Sequence, residues 1–150
     1  MASIKNWDNN TWLSSKDYIK SFSKFLIQNT KLNFKSEILD IGCGRGKISG
    51  NLYSELKLTS KPIGIDIVNH KDKDKRVKFK KSNGLTFLNK NKNFFDLILI
   101  KQTIHLLKMN EITKLINLCK KSLKSKGLIV VLTLDPYKNE IPTFKLMNVK

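Results

Sequence analysis

Two carboxylates, a run of alternate glycines and one histidine are the residues of this 150-residue sequence whose types and spacing suggest chemistry. Asp40 precedes Gly42, Gly44 and Gly46 in the stretch E-I-L-D-I-G-C-G-R-G-K over residues 37–47. Glycine adopts positive φ freely and lets backbone approach a ligand that a Cβ would exclude. A helix beginning just after such a turn aims its first N–H groups into the same space, which suits a carboxylate or phosphate. The turn therefore implies a small anionic or zwitterionic ligand. Asp66, 20 residues beyond Gly46, stands where α/β nucleotide sites place the acid that accepts both ribose hydroxyls. A dinucleotide is disfavoured, because G-x-G-x-x-G counted from Gly42 needs glycine where the chain has Lys47. His105 offers an imidazole whose ordinary pKa suits a general base.

These residues need strands that end side by side. Ile38, Leu39 and Ile41 lead into the turn as a buried strand, and Ile48, Leu52 and Leu56 follow at helical spacing. Pro62 then breaks the chain before a short strand, Ile63 to Ile67, that carries Asp66. Asn69 to Arg76 alternates in charge without an apolar period and predicts a solvated loop in place of a crossover helix. Val77 and Phe79 alternate with Lys78 and Lys80, the pattern of a strand with one wet face that ends at Ser82-Asn83-Gly84. Leu85, Phe87 and Leu88 predict a short helix. Phe94 to Ile100 has too few polar positions to face water and belongs in the middle of a parallel sheet. Asn110 is the expected cap of a helix with the stripe Ile112, Leu115, Ile116, Cys119 and Leu123, closed by Gly127. Leu128 to Leu134 is the expected last strand. Upstream, Ser14 is the expected cap of a helix through Tyr18, Ile19, Phe22, Phe25 and Leu26, ending near Asn29. This alternation predicts an α/β class, a doubly wound, Rossmann-like, mostly parallel sheet of about five strands with helices on both faces. One domain is expected over residues 1–150, with a helical cover at 1–35, the core at 36–136 and a tail at 137–150.

The pattern D-x-G-x-G-x-G at Asp40 to Gly46, then Asp66, then Phe95-Asp96 with four apolar residues and His105 further on, resembles the class I S-adenosylmethionine-dependent methyltransferases. The resemblance covers about residues 36–136. It implies S-adenosylmethionine as cofactor, with Asp40 holding the methionine amino group directly or through water. Gly42, Cys43, Gly44 and Gly46 would approach the methionine and ribose, and Asp66, with Ile67 beside it, would fix the ribose. Asn83 and Gly84 stand where the family has an acid and a small residue that read the adenine. Ile100 and Lys101 would offer backbone to the methionine end, and His105 is the candidate base near the methyl. In the family the upstream helix helps to cover the cofactor, which would bring Trp7 and Trp12 to the pocket rim.

The resemblance implies methyl transfer to an acceptor, with a small molecule favoured. A second reading is a cofactor-binding module without catalysis, because the family's C-terminal antiparallel hairpin finds no residues after Pro136; the frame would then be truncated, or the sheet edge covered by the tail or by another copy. A third is RNA base methylation. Ribose methyltransferases of the K-D-K-E type place an acid after the fourth strand, where this chain has Ile100-Lys101-Gln102.

The net charge of +17 raises nucleic acid as a partner. Of the 29 basic residues, however, only Arg45 and Arg76 are arginine, and lysine, asparagine and isoleucine share A/T-rich codons, so genome composition accounts for the charge. Phosphate clamps favour arginine. Apolar runs stay far below the roughly 18 residues that span a bilayer, and the first ten residues lack an apolar signal core. Cys43 and Cys119 form no C-x-x-C pair, so neither a disulfide nor a metal site is expected. A cytoplasmic protein is the expectation.

Overall fold

The computed structural model describes residues 16–101 and 103–133. Its strands are β1 (Ile38–Ile41), β2 (Ile63–Asp66), β3 (Lys78–Lys81), β4 (Phe95–Lys101) and β5 (Leu123–Leu132). They form one five-stranded sheet in the order β3-β2-β1-β4-β5, and every pairing is parallel. The helices are α1 (Lys16–Asn29), α2 (Lys47–Glu55), α3 (Gly84–Leu88) and α4 (Met109–Ser122). The chain starts at the centre, moves outward through β2 and β3, and then crosses back to β4. The carboxyl ends of β1 and β4 therefore flank the switch point where a crevice opens in such sheets.

Two apolar layers cover the sheet. Tyr18, Phe22 and Leu26 of α1 and Ile48 and Leu52 of α2 pack with Ile38, Leu97, Leu99 and Val130. On the opposite face Leu88 of α3 and Leu115 and Cys119 of α4 pack with Leu39, Ile41, Ile65, Ile98 and Ile100. Strand alternation divides β4 between the two layers, which is why its sequence reads as one apolar run. Helices on both faces and a parallel sheet agree with the expected fold.

Three local expectations are corrected. The N-cap of α4 is Lys108, whose backbone N–H is accepted by Glu111 Oε2 at 2.8 Å, while Asn110 lies inside the first turn and accepts from the Glu111 N–H. Gly127 does not end α4. The helix stops at Ser122 and the chain enters β5 at once, with Gly127 within a register shift where Leu97 pairs Leu128 although Phe95 pairs Leu123. A Cβ at Gly127 would come within 2.8 Å of the Phe95 carbonyl, so glycine permits that close passage. The last strand ends at Leu132; Leu134, the tail, Ser14, Trp7 and Trp12 lie outside the described residues.

The third correction concerns the charged loop between β2 and β3. No helix forms there, as expected, yet Asp74 is buried against α2, where a Cβ on Gly50 would meet its carboxylate at 2.5 Å. Its Oδ2 accepts from Arg76 Nη2 at 2.7 Å and its Oδ1 from Arg76 Nε at 2.9 Å. The Asp74 N–H in turn donates to the Arg45 carbonyl at 2.8 Å. Burial alone would raise the Asp74 pKa, but the hydrogen bonds and charge of Arg76, with the charge of Lys47, outweigh it and hold the carboxyl below its usual range. The depressed folded-state pKa means that this contribution is present above the ordinary carboxylate pKa and is lost as pH falls through the folded value. Asp74→Asn is expected to cost about 1 kcal/mol at pH 7 and to flatten the acid limb of stability, read by urea unfolding across pH. An unchanged acid limb would remove Asp74 from this role.

Candidate cofactor and active site

The glycine turn is tied to β2 along its length. Leu39, Asp40 and Ile41 stand in register with Ile63, Gly64 and Ile65, and the N–H groups of Gly42 and Cys43 both donate to the Ile65 carbonyl, at 2.8 and 3.0 Å. The Gly44 N–H donates to Asp66 Oδ2 at 2.8 Å, and the other oxygen accepts from the Val68 N–H at 2.9 Å. Gly42, Gly44 and Gly46 all have positive φ, between 55° and 72°. The tips of β1 and β2 thus sit side by side with bare turn backbone between them, as the spacing of Asp40 and Asp66 requires.

The two acids differ in what they can do. Asp40 is fully buried and accepts from Ser49 Oγ of α2, so it fastens the strand to the first turn of the following helix. Asp66 is half-buried at the tip. Each of its oxygens has one N–H donor, and a carboxylate oxygen carries a further lone pair, so two hydroxyls can still be accepted. Ile67 next to it is 61% exposed, an apolar surface beside the acid. The first turn of α2 has no side-chain cap, which leaves its leading N–H groups to solvent or ligand.

Cys43 points inward. Its Sγ lies where a Cβ on Gly64 would come within 2.8 Å, and burial, then the charges of Asp40 and Asp66, push the thiol well above its ordinary range. It is a packing residue whose backbone alone lines the turn. Cys119, buried in α4, is pushed up to about 12 by burial.

At β3 the expected adenine reader has another partner. Asn83 is the N-cap of α3 and its Oδ1 accepts from the Thr86 N–H at 2.8 Å. Gly84 is small for a packing reason, since a Cβ there would meet Leu115 at 2.8 Å and Ile41 at 3.2 Å.

Beyond β1 the tip of β4 completes the crevice. Ile100 stands in register with Ile41, so Lys101 comes beside Gly42. Thr103 Oγ1 donates to the Lys101 carbonyl at 2.9 Å and occupies the position into which a Cβ on Gly42 would project. His105 follows in a short 3-10 turn, Ile104–Leu106, with its side chain exposed. Sequence reasoning missed Ser49 and Thr103. A serine on the buried side of α2, between Ile48 and Leu52, was the available sign of the first; nothing in the pattern marked the second.

An acid-flanked glycine turn, at the switch point of a parallel sheet and beside a second strand-tip acid, defines a nucleoside-binding α/β domain. A family model described as a methyltransferase domain matches residues 32–148. The chain belongs to that family, the class I S-adenosylmethionine-dependent methyltransferases. No curated protein matches it. Among solved structures it is similar to a SAM-dependent methyltransferase from Archaeoglobus fulgidus, with TM-score 0.61 and 24% identity over 75% of this chain and 52% of that one. It is also similar to the 1,6-didemethyltoxoflavin-N1-methyltransferase of Burkholderia thailandensis, with TM-score 0.62 and 16% identity over 79% of this chain and 52% of that one. A third likeness is to the [4+2]-cyclase SpnF, with TM-score 0.59 and 21% identity over 74% of this chain and 43% of that one. The chain thus spans about half the length of these structures.

Proposed function

We propose that this chain binds S-adenosylmethionine at the tips of β2, β1 and β4 and transfers its methyl group to a small-molecule acceptor. The observation that carries the reading is the Asp66 carboxylate held beside the glycine turn by the Gly44 N–H. The residues fit the group. Asp66 has free lone pairs for the ribose hydroxyls, and Ile67 offers an apolar face to the adenine. The leading N–H groups of α2 suit the methionyl carboxylate. Asp40 acts on the ammonium through an intermediary, Ile100 and Lys101 supply backbone at the methionine end, and Asn83 and Gly84 border the adenine side. The acceptor bound in the Burkholderia structure is a small molecule, which supports the same class here.

When bound, S-adenosylmethionine would supply a sulfonium methyl that is already electrophilic toward the acceptor's lone pair, with sulfur as the leaving group. Most of the rate then comes from holding the acceptor in line and keeping water out. His105, close after the tip of β4, is the base for an acceptor that must lose a proton. His105→Ala is expected to lower kcat by about 10²-fold with S-adenosylhomocysteine affinity unchanged. Unchanged turnover would remove His105 from that role. Calorimetric titration with S-adenosylhomocysteine followed by a methyl-transfer screen tests the whole reading, and absence of binding would sink it.

A second reading is cofactor binding without methyl transfer. The likeness to a cyclase favours it. It predicts binding in the titration and no product in the screen. Arg76 is engaged by Asp74, which takes one of the two arginines out of a phosphate-clamping role in RNA binding and lowers that alternative. We place the protein in the cytoplasm, where the buried free thiols of Cys43 and Cys119 stay reduced. Among the described residues no helix is long and apolar enough to cross a membrane. The outer edge of β5 is where a second copy would pair with the sheet.

A further inference from the structure

The two layers on the sheet differ in charge. No Asp or Glu stands between Asp74 and Asp96 or between Glu111 and Asp135, the stretches that supply β3, α3, most of α4 and β5. By contrast α1 and α2 carry Asp17 and Glu55 among their lysines. An A/T-rich genome raises lysine along the whole chain and does not sort acids by position, so it accounts for the amount of charge and not for this segregation. Part of the excess converges at the amino end of β4. There the Asn93 N–H donates to the Lys121 carbonyl at 3.1 Å, the Phe94 N–H to the Ser122 carbonyl at 2.8 Å and Ser122 Oγ to the Asn91 carbonyl at 2.6 Å. These bonds tie the loop between α3 and β4 to the last turn of α4, and Gly127 passes the Phe95 carbonyl at the same corner. The exposed residues Lys90, Lys92, Lys120, Lys121 and Lys126 are thereby brought to the corner that holds Phe94. Phe94 is 42% exposed and set edge-on against Phe95, with ring centroids 5.0 Å apart. Two acids lie close by: Asp96, which Lys124 Nζ holds at 2.7 Å, and Glu37, whose carbonyl accepts from the Asp96 N–H. Lysines suit the C-terminus of α4 for its dipole, but Lys90, Lys92 and Lys126 lie outside that helix.

We propose that this corner is a docking face for single-stranded RNA, with the lysines on its phosphates and Phe94 stacking on a base. Binding of single-stranded nucleic acid combines a positive surface with an aromatic on which unpaired bases stack, and lysine serves phosphate as a point charge without reading sequence. A lipid surface fits less well. Insertion needs an apolar face turned outward, whereas Leu115 and Cys119 of α4 are buried against the sheet. RNA is the single-stranded polyanion of the cytoplasm, where we place the protein. Since β4 is seven residues long, the corner stands about 20 Å from the crevice at the strand's other end. The face therefore holds the chain on RNA and does not deliver the methyl acceptor, and it is independent of the donor reading.

The test is fluorescence anisotropy of the full chain with a labelled oligouridylate of about 16 nucleotides, beside an RNA duplex of matching phosphate number and vesicles containing phosphatidylserine. The oligouridylate is expected to bind more tightly than the duplex, with log K falling against log salt at a slope of about −3, or about −0.7 for each lysine engaged. Lys120→Gln combined with Lys121→Gln is expected to weaken it about tenfold and to flatten the slope by about 1.4. Lys20→Gln combined with Lys24→Gln removes the same charge from exposed positions on α1 and should change binding less than about threefold. Phe94→Ala should weaken the single strand about tenfold at unchanged slope, and Phe94→Tyr should retain the stacking. The lysine pairs decide the proposal even where Phe94→Ala fails to fold. No binding of the oligouridylate, an equal loss in the α1 pair, tighter binding of the duplex, or binding to the vesicles without binding to RNA would overturn it.

Discussion

Asp66→Ala is expected to weaken S-adenosylhomocysteine binding by about 10²-fold, the largest loss of any single side chain in the crevice. Two ribose hydroxyls donating to a carboxylate contribute about 3 kcal/mol together, and each 1.4 kcal/mol is about tenfold in affinity. The variant also releases the Gly44 N–H, which now donates to Asp66 Oδ2 at 2.8 Å, so the turn loses one of its ties to β2. Asp66→Asn separates the effects, since its amide oxygen still accepts but carries no charge. Calorimetry should give the order wild type, Asn, Ala. 5′-Methylthioadenosine, which keeps the ribose and lacks the amino acid, should weaken as much as S-adenosylhomocysteine. A loss of less than about threefold in Asp66→Ala would show that the acid does not hold the nucleoside.

The second large effect falls on folding. Gly42→Ala is expected to destabilise the domain by about 3 kcal/mol, from two additive sources. At φ +69° any side chain is strained, and the new Cβ would stand 1.8 Å from Thr103 Oγ1. For a chain of this size that is a fall in Tm of about 10 °C. Thr103→Ala in the same chain removes the overlapping hydroxyl and should recover part of the loss, leaving the backbone strain. Gly46→Ala is a useful contrast, because its Cβ would meet only Val77, at 3.2 Å, and mainly the φ cost remains. A double variant no more stable than Gly42→Ala alone would show that the overlap carries none of the cost.

Much of this architecture was legible because each element states its surroundings in its own period. The apolar run of β4 marked it as covered on both sides, the stripe of α1 marked one buried face, and the spacing from the turn to Asp66 placed two strand tips together. Contacts between residues distant in sequence had no such signal. Thr103 meets Gly42 only because β4 pairs with β1, and Ser49 reaches Asp40 only because α2 folds back over the strand it follows. The charged loop read as solvated since alternation describes average exposure; a single aspartate in it turned inward where Gly50 left room on α2. Gly127 read as a helix stop because that is glycine's commonest place, whereas here it lets a strand pass close to a carbonyl. The likeness to known methyltransferases supplied the assignment of Asn83 to adenine, and the structure gives its oxygen a helix to cap.

The double donation from Gly42 and Cys43 to the Ile65 carbonyl has a kinetic meaning. A turn bolted down in this way meets its visitor already in shape, so little ordering entropy is lost on arrival. In the proposed reading it would grip only what fresh and spent cofactor have in common, the nucleoside and the amino acid. Interactions shared equally by two ligands do not discriminate between them. In the proposed reaction the demethylated product therefore lingers, and sustained turnover depends on its removal from the surrounding solution.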